Sequence, residues 1–178
     1  MKDQGTHAPT EDTPILHLID GEYRDSADGR TRSTTNPANA AVATWHSEGS
    51  ELEIDAAIGA ASVAADLGQW SRSPRMRAEV LLGFADRLES VADTVAEQIT
   101  MTNGKLPAEA RHEVNAAVSE ARFYAGLSRA IFGRTTELTP GEIALIVREP
   151  LPITGIITPW NAPAVLLVRS LAPALAAG

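Results

Sequence analysis

In PILHLIDGEYRDS two short apolar runs flank Asp20-Gly21, a dipeptide that accepts the positive φ angles of a tight turn, and a hairpin is predicted there. Asp28-Gly29 and Asn36-Pro37 punctuate two further extended pieces, TRSTT before Asn36 and AVATW after the NPANA turn. From Ser50 the apolar spacing becomes that of a helix. Ser50 and Glu53 have the spacing of a capping box, and Ile54, Ala57, Ile58, Ala61 and Ala64 or Ala65 then recur on one face. Gln69, Trp70 and Ser71 read as a loop, and Ser73-Pro74 starts a second helix with Val80, Leu81, Phe84 and Leu88 as its buried stripe. A third helix is expected from Ser90 to Thr102, with Asp93 closing a cap-like pair and Asn103-Gly104 as its stop. A fourth, from Pro107 past Leu127, buries Val114, Ala117, Val118, Ala121 and either Phe123 or Tyr124.

Past Gly133 the pattern returns to strand. Thr139-Pro140-Gly141 reads as a turn, EIALIVRE as a strand, and ITGIIT from Ile153 as a second strand with too little polar alternation to have a solvent face. Ala162 to Ala177 reads as a buried helix that Pro173 should kink or end early. The pattern therefore predicts an α/β chain: strands, a helical middle, and a β-to-helix unit like the first half of a βαβ crossover.

Composition narrows the function. The chain has 178 residues, enough for a domain with a real core, and 44% of them are hydrophobic. No apolar run approaches the roughly 18 residues that a membrane helix needs. The start, MKDQGTHAPTEDTP, is polar and lacks the apolar centre of a secretory signal, so residues 1–13 are expected to be a flexible tail and the compartment cytoplasmic. A net charge of -8, from 23 acidic and 15 basic residues, argues against a nucleic-acid partner, because phosphate binding needs a concentrated basic face. With no cysteine there is no disulfide and no thiol nucleophile in these residues. His7, His17, His46 and His112 are too scattered for metal-ligand spacing, and no metal is expected.

Ligand chemistry is expected at the carboxyl end of the strand from Ile153, where the next helix offers unpaired N–H groups and the positive end of its dipole. Thr158, Pro159, Trp160 and Asn161 occupy that place. Pro159 fixes one backbone torsion, Trp160 supplies a flat apolar surface, and Asn161 offers a neutral donor amide suited to a developing oxyanion. A plainer reading stands beside this one: Asn161 caps the helix that Pro163 starts, and Trp160 is packing.

The string REPLPITGIITPWNAPAVLLVRSLAPALAAG resembles the aldehyde dehydrogenase superfamily, in which a Pro-x-Gly-Val strand leads into Pro-Trp-Asn-x-Pro and a helix closing on Ala-Pro-Ala-Leu-Ala-x-Gly. LIDGEYRDSADGR, TTNPAN, EIDAAIGAASVAA, PRMRAEVLLGFADRLE, TNGKLPAEAR, FYAG and GEIALIVREP agree with that family in order and spacing, from Leu16 to Gly178. The resemblance implies the N-terminal part of the family fold, including the first β-α unit of a Rossmann-like NAD(P)-binding domain. It implies oxidation of an aldehyde to an acid with NAD or NADP, in which a cysteine attacks the carbonyl and a glutamate activates water against the thioester. Asn161 then matches the oxyanion-stabilising asparagine, while Ile157, Thr158, Pro159 and Trp160 match the stretch beside the cofactor's ribose and phosphates. GxGxxG is not expected in this family and does not occur here. Residues 15–24 and 142–149 resemble the strands of the family's oligomerisation sheet, which implies a homo-oligomer.

Three positions depart from the family pattern. Pro152 replaces the glycine of Pro-x-Gly-Val, Ser170 replaces a common lysine, and Ala162 replaces the commoner phenylalanine, which could widen a substrate tunnel. Lys105, in Asn-Gly-Lys-Leu-Pro, matches a family pattern at a helix-to-helix turn, where a last-turn cation is the simpler role; Glu109 and Glu113 form a routine one-turn pair. The thiol and the base of the family lie beyond Gly178, so the expectation is an N-terminal fragment of such an enzyme. The alternative is a non-catalytic oligomerisation partner or pseudoenzyme.

Overall fold

The computed structural model describes residues 10–178. The expected tail falls outside the described residues except for Thr10 to Thr13, which form a turn closed by reciprocal backbone hydrogen bonds. The hairpin at Asp20-Gly21 is present. Strands β1 (His17–Ile19) and β2 (Glu22–Arg24) pair antiparallel, with Asp20 at φ 55° and Gly21 at φ 74° as the turn chemistry requires. A second hairpin, β3 (Thr31–Thr35) with β4 (Val42–Ser47), contains a bulge between Thr34 and Thr35, and Ile15 bridges to its His46.

Helix α1 (Glu51–Leu67) begins on the expected capping box: Ser50 Oγ accepts from the Leu52 amide, and Glu53 Oε2 accepts from the Ser50 amide at 2.7 Å. The other Glu53 oxygen accepts from the Ala27 amide at 2.8 Å, tying the helix to the loop after β2. The expected buried face of α1 does not form. Ile54 and Ile58 are exposed, and Glu53 is the buried residue of the helix, because among the described residues β1 and α2 are the elements that pack most against it.

Residues expected as a loop form the short helix α2 (Gln69–Arg72). In α3 (Pro74–Ser90), capped by Ser73 Oγ accepting from Met76, the buried stripe is Arg77, Ala78, Leu81 and Ala85. Val80 and Phe84 instead face outward. The reason is the facing helix, α5 (Pro107–Leu127), whose buried Ala117, Ala121 and Ala125 let the backbones approach too closely for Phe84 between them. Between them, α4 (Ala92–Asn103) stops on Gly104 at φ 76° as expected, but Ser90 is still in α3. The Ser90–Asp93 cap does not form: Ser90 Oγ donates to Arg87 O, and Asp93 pairs with Arg111. On α5, Val114, Ala117, Val118 and Ala121 are buried as expected, with Tyr124 rather than Phe123 turned to the core.

Strands β5 (Arg134–Thr139) and β6 (Glu142–Ile146) form the third hairpin, with Gly141 at φ 83° in its turn. The expected strand from Ile153 is absent. Among the described residues, no backbone group from 151 to 159 is hydrogen-bonded, and Ile157 is 99% exposed. A strand is completed by neighbours, and none lies beside this segment. Helix α6 (Pro163–Ala177) runs through Pro173 rather than ending early. Its Val165, Val168, Ala172 and Ala176, at spacings of three and four, seat on α5 and on Leu81 and Ala85 of α3 to make the main core.

Candidate functional site at the start of helix α6

Helix α6 brings no side-chain cap of its own to its start. Its N-cap is Ala162, which has no side chain able to accept a hydrogen bond. The two orphan amides of its first turn are satisfied from α5: Glu113 Oε1 accepts from Ala164 N at 2.8 Å and from Val165 N at 3.3 Å. Glu113 Oε2 pairs with Lys105 Nζ, and the two side chains are 5% and 17% exposed. Lys105 also donates to the Asn161 carbonyl at 3.0 Å, while Asn103 Nδ2 donates to the Trp160 carbonyl at 2.8 Å.

The far end of α6 is served in the same way. Trp70 Nε1 donates to Leu175 O at 3.0 Å and Arg77 Nε to Ala176 O at 3.0 Å. A carboxylate therefore stands at the positive end of the helix dipole and a guanidinium at its negative end, the favourable arrangement at both. Burial pushes the Arg77 guanidinium below its ordinary pKa.

This arrangement bears on one of the two readings of Asn161, that of a helix cap. The helix is capped by Glu113, so Asn161 is not its cap. Among the described residues its side-chain amide has no hydrogen-bond partner, and it lies on an exposed residue. Trp160 is 80% exposed, which rules out a core role in these residues. It borders an open cavity of about 530 Å³ shared with Thr35, Pro37, Thr102 and Asn103. Ile157, Thr158 and Pro159 belong to the unpaired extended segment that leads into Trp160 and Asn161, so the five predicted residues form one continuous exposed strip.

Sequence reasoning passed over Glu113, Lys105 and Asn103 as site-building residues. A signal was available for Glu113, because it falls three residues after Ala110 and four before Ala117 on the buried stripe of α5. A charge on an apolar stripe needs a partner. Lys105 and Asn103 carry no such mark in the pattern, since Asn103 ends α4 and Lys105 lies in the link to α5.

The chain's likeness to known proteins runs along the same elements. The sequence model of the aldehyde dehydrogenase family matches residues 23–178. Aldehyde dehydrogenase 1 of Tanacetum cinerariifolium is 41% identical over 163 residues, covering 90% of this chain and 33% of that protein. The NADP/NAD-dependent aldehyde dehydrogenase PuuC of Escherichia coli is 35% identical over 90% of this chain and 33% of its own length. Among solved structures, HpcC of Thermus thermophilus superposes with a TM-score of 0.89 at 36% identity, over 94% of this chain and 32% of that one. A point mutant of Staphylococcus aureus betaine aldehyde dehydrogenase, in complex with NAD+ and with a BME-modified cysteine, superposes with a TM-score of 0.84 at 30% identity, over 92% and 33%. The chain thus spans about a third of the length of the curated relatives it matches. Among the described residues no helix is long and apolar enough to cross a membrane. A family model over most of the sequence, a shared fold, and the Pro-Trp-Asn-x-Pro turn at the head of α6 give one answer: the chain belongs to the aldehyde dehydrogenase family.

Proposed function

We propose that this chain supplies the oxyanion-binding amide and one wall of the dinucleotide site of an NAD(P)-dependent aldehyde dehydrogenase, which converts an aldehyde to a carboxylic acid through a thioester. The observation that carries the reading is the Asn161 amide, exposed, without a partner among the described residues, and relieved of helix capping by Glu113. An uncharged N–H donor held on a fixed backbone suits a carbonyl oxygen that gains negative charge as sulfur adds to the carbon, because its dipole is aimed before the bond forms.

Ile157, Thr158, Pro159 and Trp160 fit a dinucleotide as one face of its site. The unpaired main-chain groups of Ile157, Thr158 and Pro159 offer hydrogen bonds to ribose or phosphate, and the bare indole of Trp160 offers an apolar surface. The chemistry such a cofactor supplies is acceptance of a hydride from the substrate carbon. The sequence holds no cysteine, so the thiol comes from outside these 178 residues. Exposed Ile143 and Leu145 on the β5–β6 hairpin support a homo-oligomer as the working assembly.

The test is aldehyde-dependent formation of reduced nicotinamide by the product of the complete gene. Asn161→Ala is expected to lower kcat on the order of 10² to 10³ with cofactor affinity nearly unchanged; unchanged turnover refutes the role of the amide. A second reading, a non-catalytic partner that joins a full-length enzyme through its strands, is favoured by the same exposed hairpin. It prevails if the gene product contains no thiol and, when pure, forms no reduced nicotinamide.

A further inference from the structure

The backbone around Asn161 is gripped on both sides by side chains distant in sequence. Before it, the Trp160 carbonyl takes the Asn103 amide at 2.8 Å; at it, the Asn161 carbonyl takes Lys105 Nζ at 3.0 Å. After it, the amides of Ala164 and Val165 are held by Glu113, whose second oxygen carries Lys105. Between these anchors Pro163 limits φ at the first residue of the helix. The anchors themselves are fixed by a tight corner: Gly104 has φ 76°, and a Cβ there would lie 2.6 Å from Pro37 Cγ. Thus the Asn161 main chain is immobilised while its amide is left without a partner among the described residues.

A buried ion pair is a poor device for stability alone, since desolvation offsets much of its attraction and apolar packing of equal volume often serves as well. Its strength is direction, because charge-assisted hydrogen bonds fix angles as well as distances. We infer that Asn103, Lys105 and Glu113 are positioning residues, a clamp that sets where the Asn161 amide points. The inference rests on the reading that this amide holds the oxyanion. Such a donor must be placed within about 0.5 Å of its working position, and a shift of about 1 Å costs on the order of 10² in rate.

Two measurements test it separately. On the 178-residue chain, hydrogen exchange of the Ala164 and Val165 amides is compared among wild type, Glu113→Gln and Lys105→Met. Both variants are expected to exchange faster, up to about tenfold. Lys105→Met keeps the test available if Glu113→Gln does not fold, since Lys105 is the more exposed partner. In the product of the complete gene, each substitution is expected to lower kcat roughly 10- to 100-fold with cofactor KM nearly unchanged. That loss should vanish in an Asn161→Ala background, where the clamp has nothing to aim, and Lys105→Arg should recover most of it. Losses that multiply with that of Asn161→Ala overturn the positioning role, as does unchanged exchange in both variants. Turnover that is absent, or that survives Asn161→Ala, sinks the oxyanion reading and this inference with it, whatever exchange reports.

Discussion

Arg77 is 3% exposed and has no carboxylate partner among the described residues. Its guanidinium donates instead to three carbonyls, Ala176 at 3.0 Å, Trp70 at 2.9 Å and Ser71 at 2.7 Å, and so joins the last turn of α6 to α2. Replacing it with methionine fills similar volume but strands the Ala176 and Ser71 carbonyls, both at helix ends. Arg77→Met is expected to lower the unfolding free energy of the chain by about 3 kcal/mol, read as a fall in urea midpoint at unchanged slope. Arg75→Met, two residues away, is the contrast: Arg75 pairs with Glu79 on the open face of α3, with side chains 80% and 65% exposed. Its loss should change stability by no more than about 0.5 kcal/mol. Arg77 precedes Leu81 by four residues, so the stripe that buries Leu81 buries it too. The helix period carried that information, but reading Val80 and Phe84 as the inner face hid it, because residue size alone favours the larger side chains.

At the scale of elements, the start of α1 carries the clearest pH dependence. Glu53 accepts from the Ser50 hydroxyl and from the amides of Ala27 and Ser50, and these bonds hold its carboxyl at about 2 against an ordinary 4.5. Asp28, gripped by the Ser26 hydroxyl and by Arg30, is likewise held at about 2 against 3.8. The folded values lie below the unfolded ones, so the stabilisation is complete above the ordinary values and is lost as pH falls from about 4.5 toward 2. The thermal midpoint should therefore drop across that interval, and Glu53→Gln should flatten the drop; an identical slope in wild type and variant would remove Glu53 from the account. The capping box was legible because its signal is local, two residue types at a fixed spacing. So were the turns at Asp20-Gly21, Gly104 and Gly141, where positive φ restricts the choice of residue. The Ser90–Asp93 pair has similar spacing yet forms no cap, since α3 continues through Ser90 and gives that hydroxyl an acceptor in its own helix.

Across the whole molecule, apolar side chains lie in the open wherever a neighbouring layer is missing. Ile157, Ile143, Leu145 and the outward face of α1 are examples. Ile143 and Leu145 share one face of the β5–β6 hairpin, opposite Glu137 and Thr135. The chain is expected to sediment as more than one copy, and Ile143→Lys with Leu145→Lys to shift it toward a single copy; a monomer in both cases would dissociate the hairpin from assembly. Family order and the helical middle were readable because many short motifs recur along one line. The run from Ile153 could be read as β-prone and short of parallel neighbours, but not as losing its strand form altogether, because isoleucines state a preference for burial and are silent on what covers them. The ends of α6 were equally hidden, since Glu113 lies 51 residues from Ala164 and Arg77 99 from Ala176. That separation has a kinetic consequence. A segment whose terminal carbonyls and amides find partners on remote helices gains them only once those helices are in place, so α6 is expected to settle onto a seat built by α3 and α5, and the Asn161 turn to take its orientation with it.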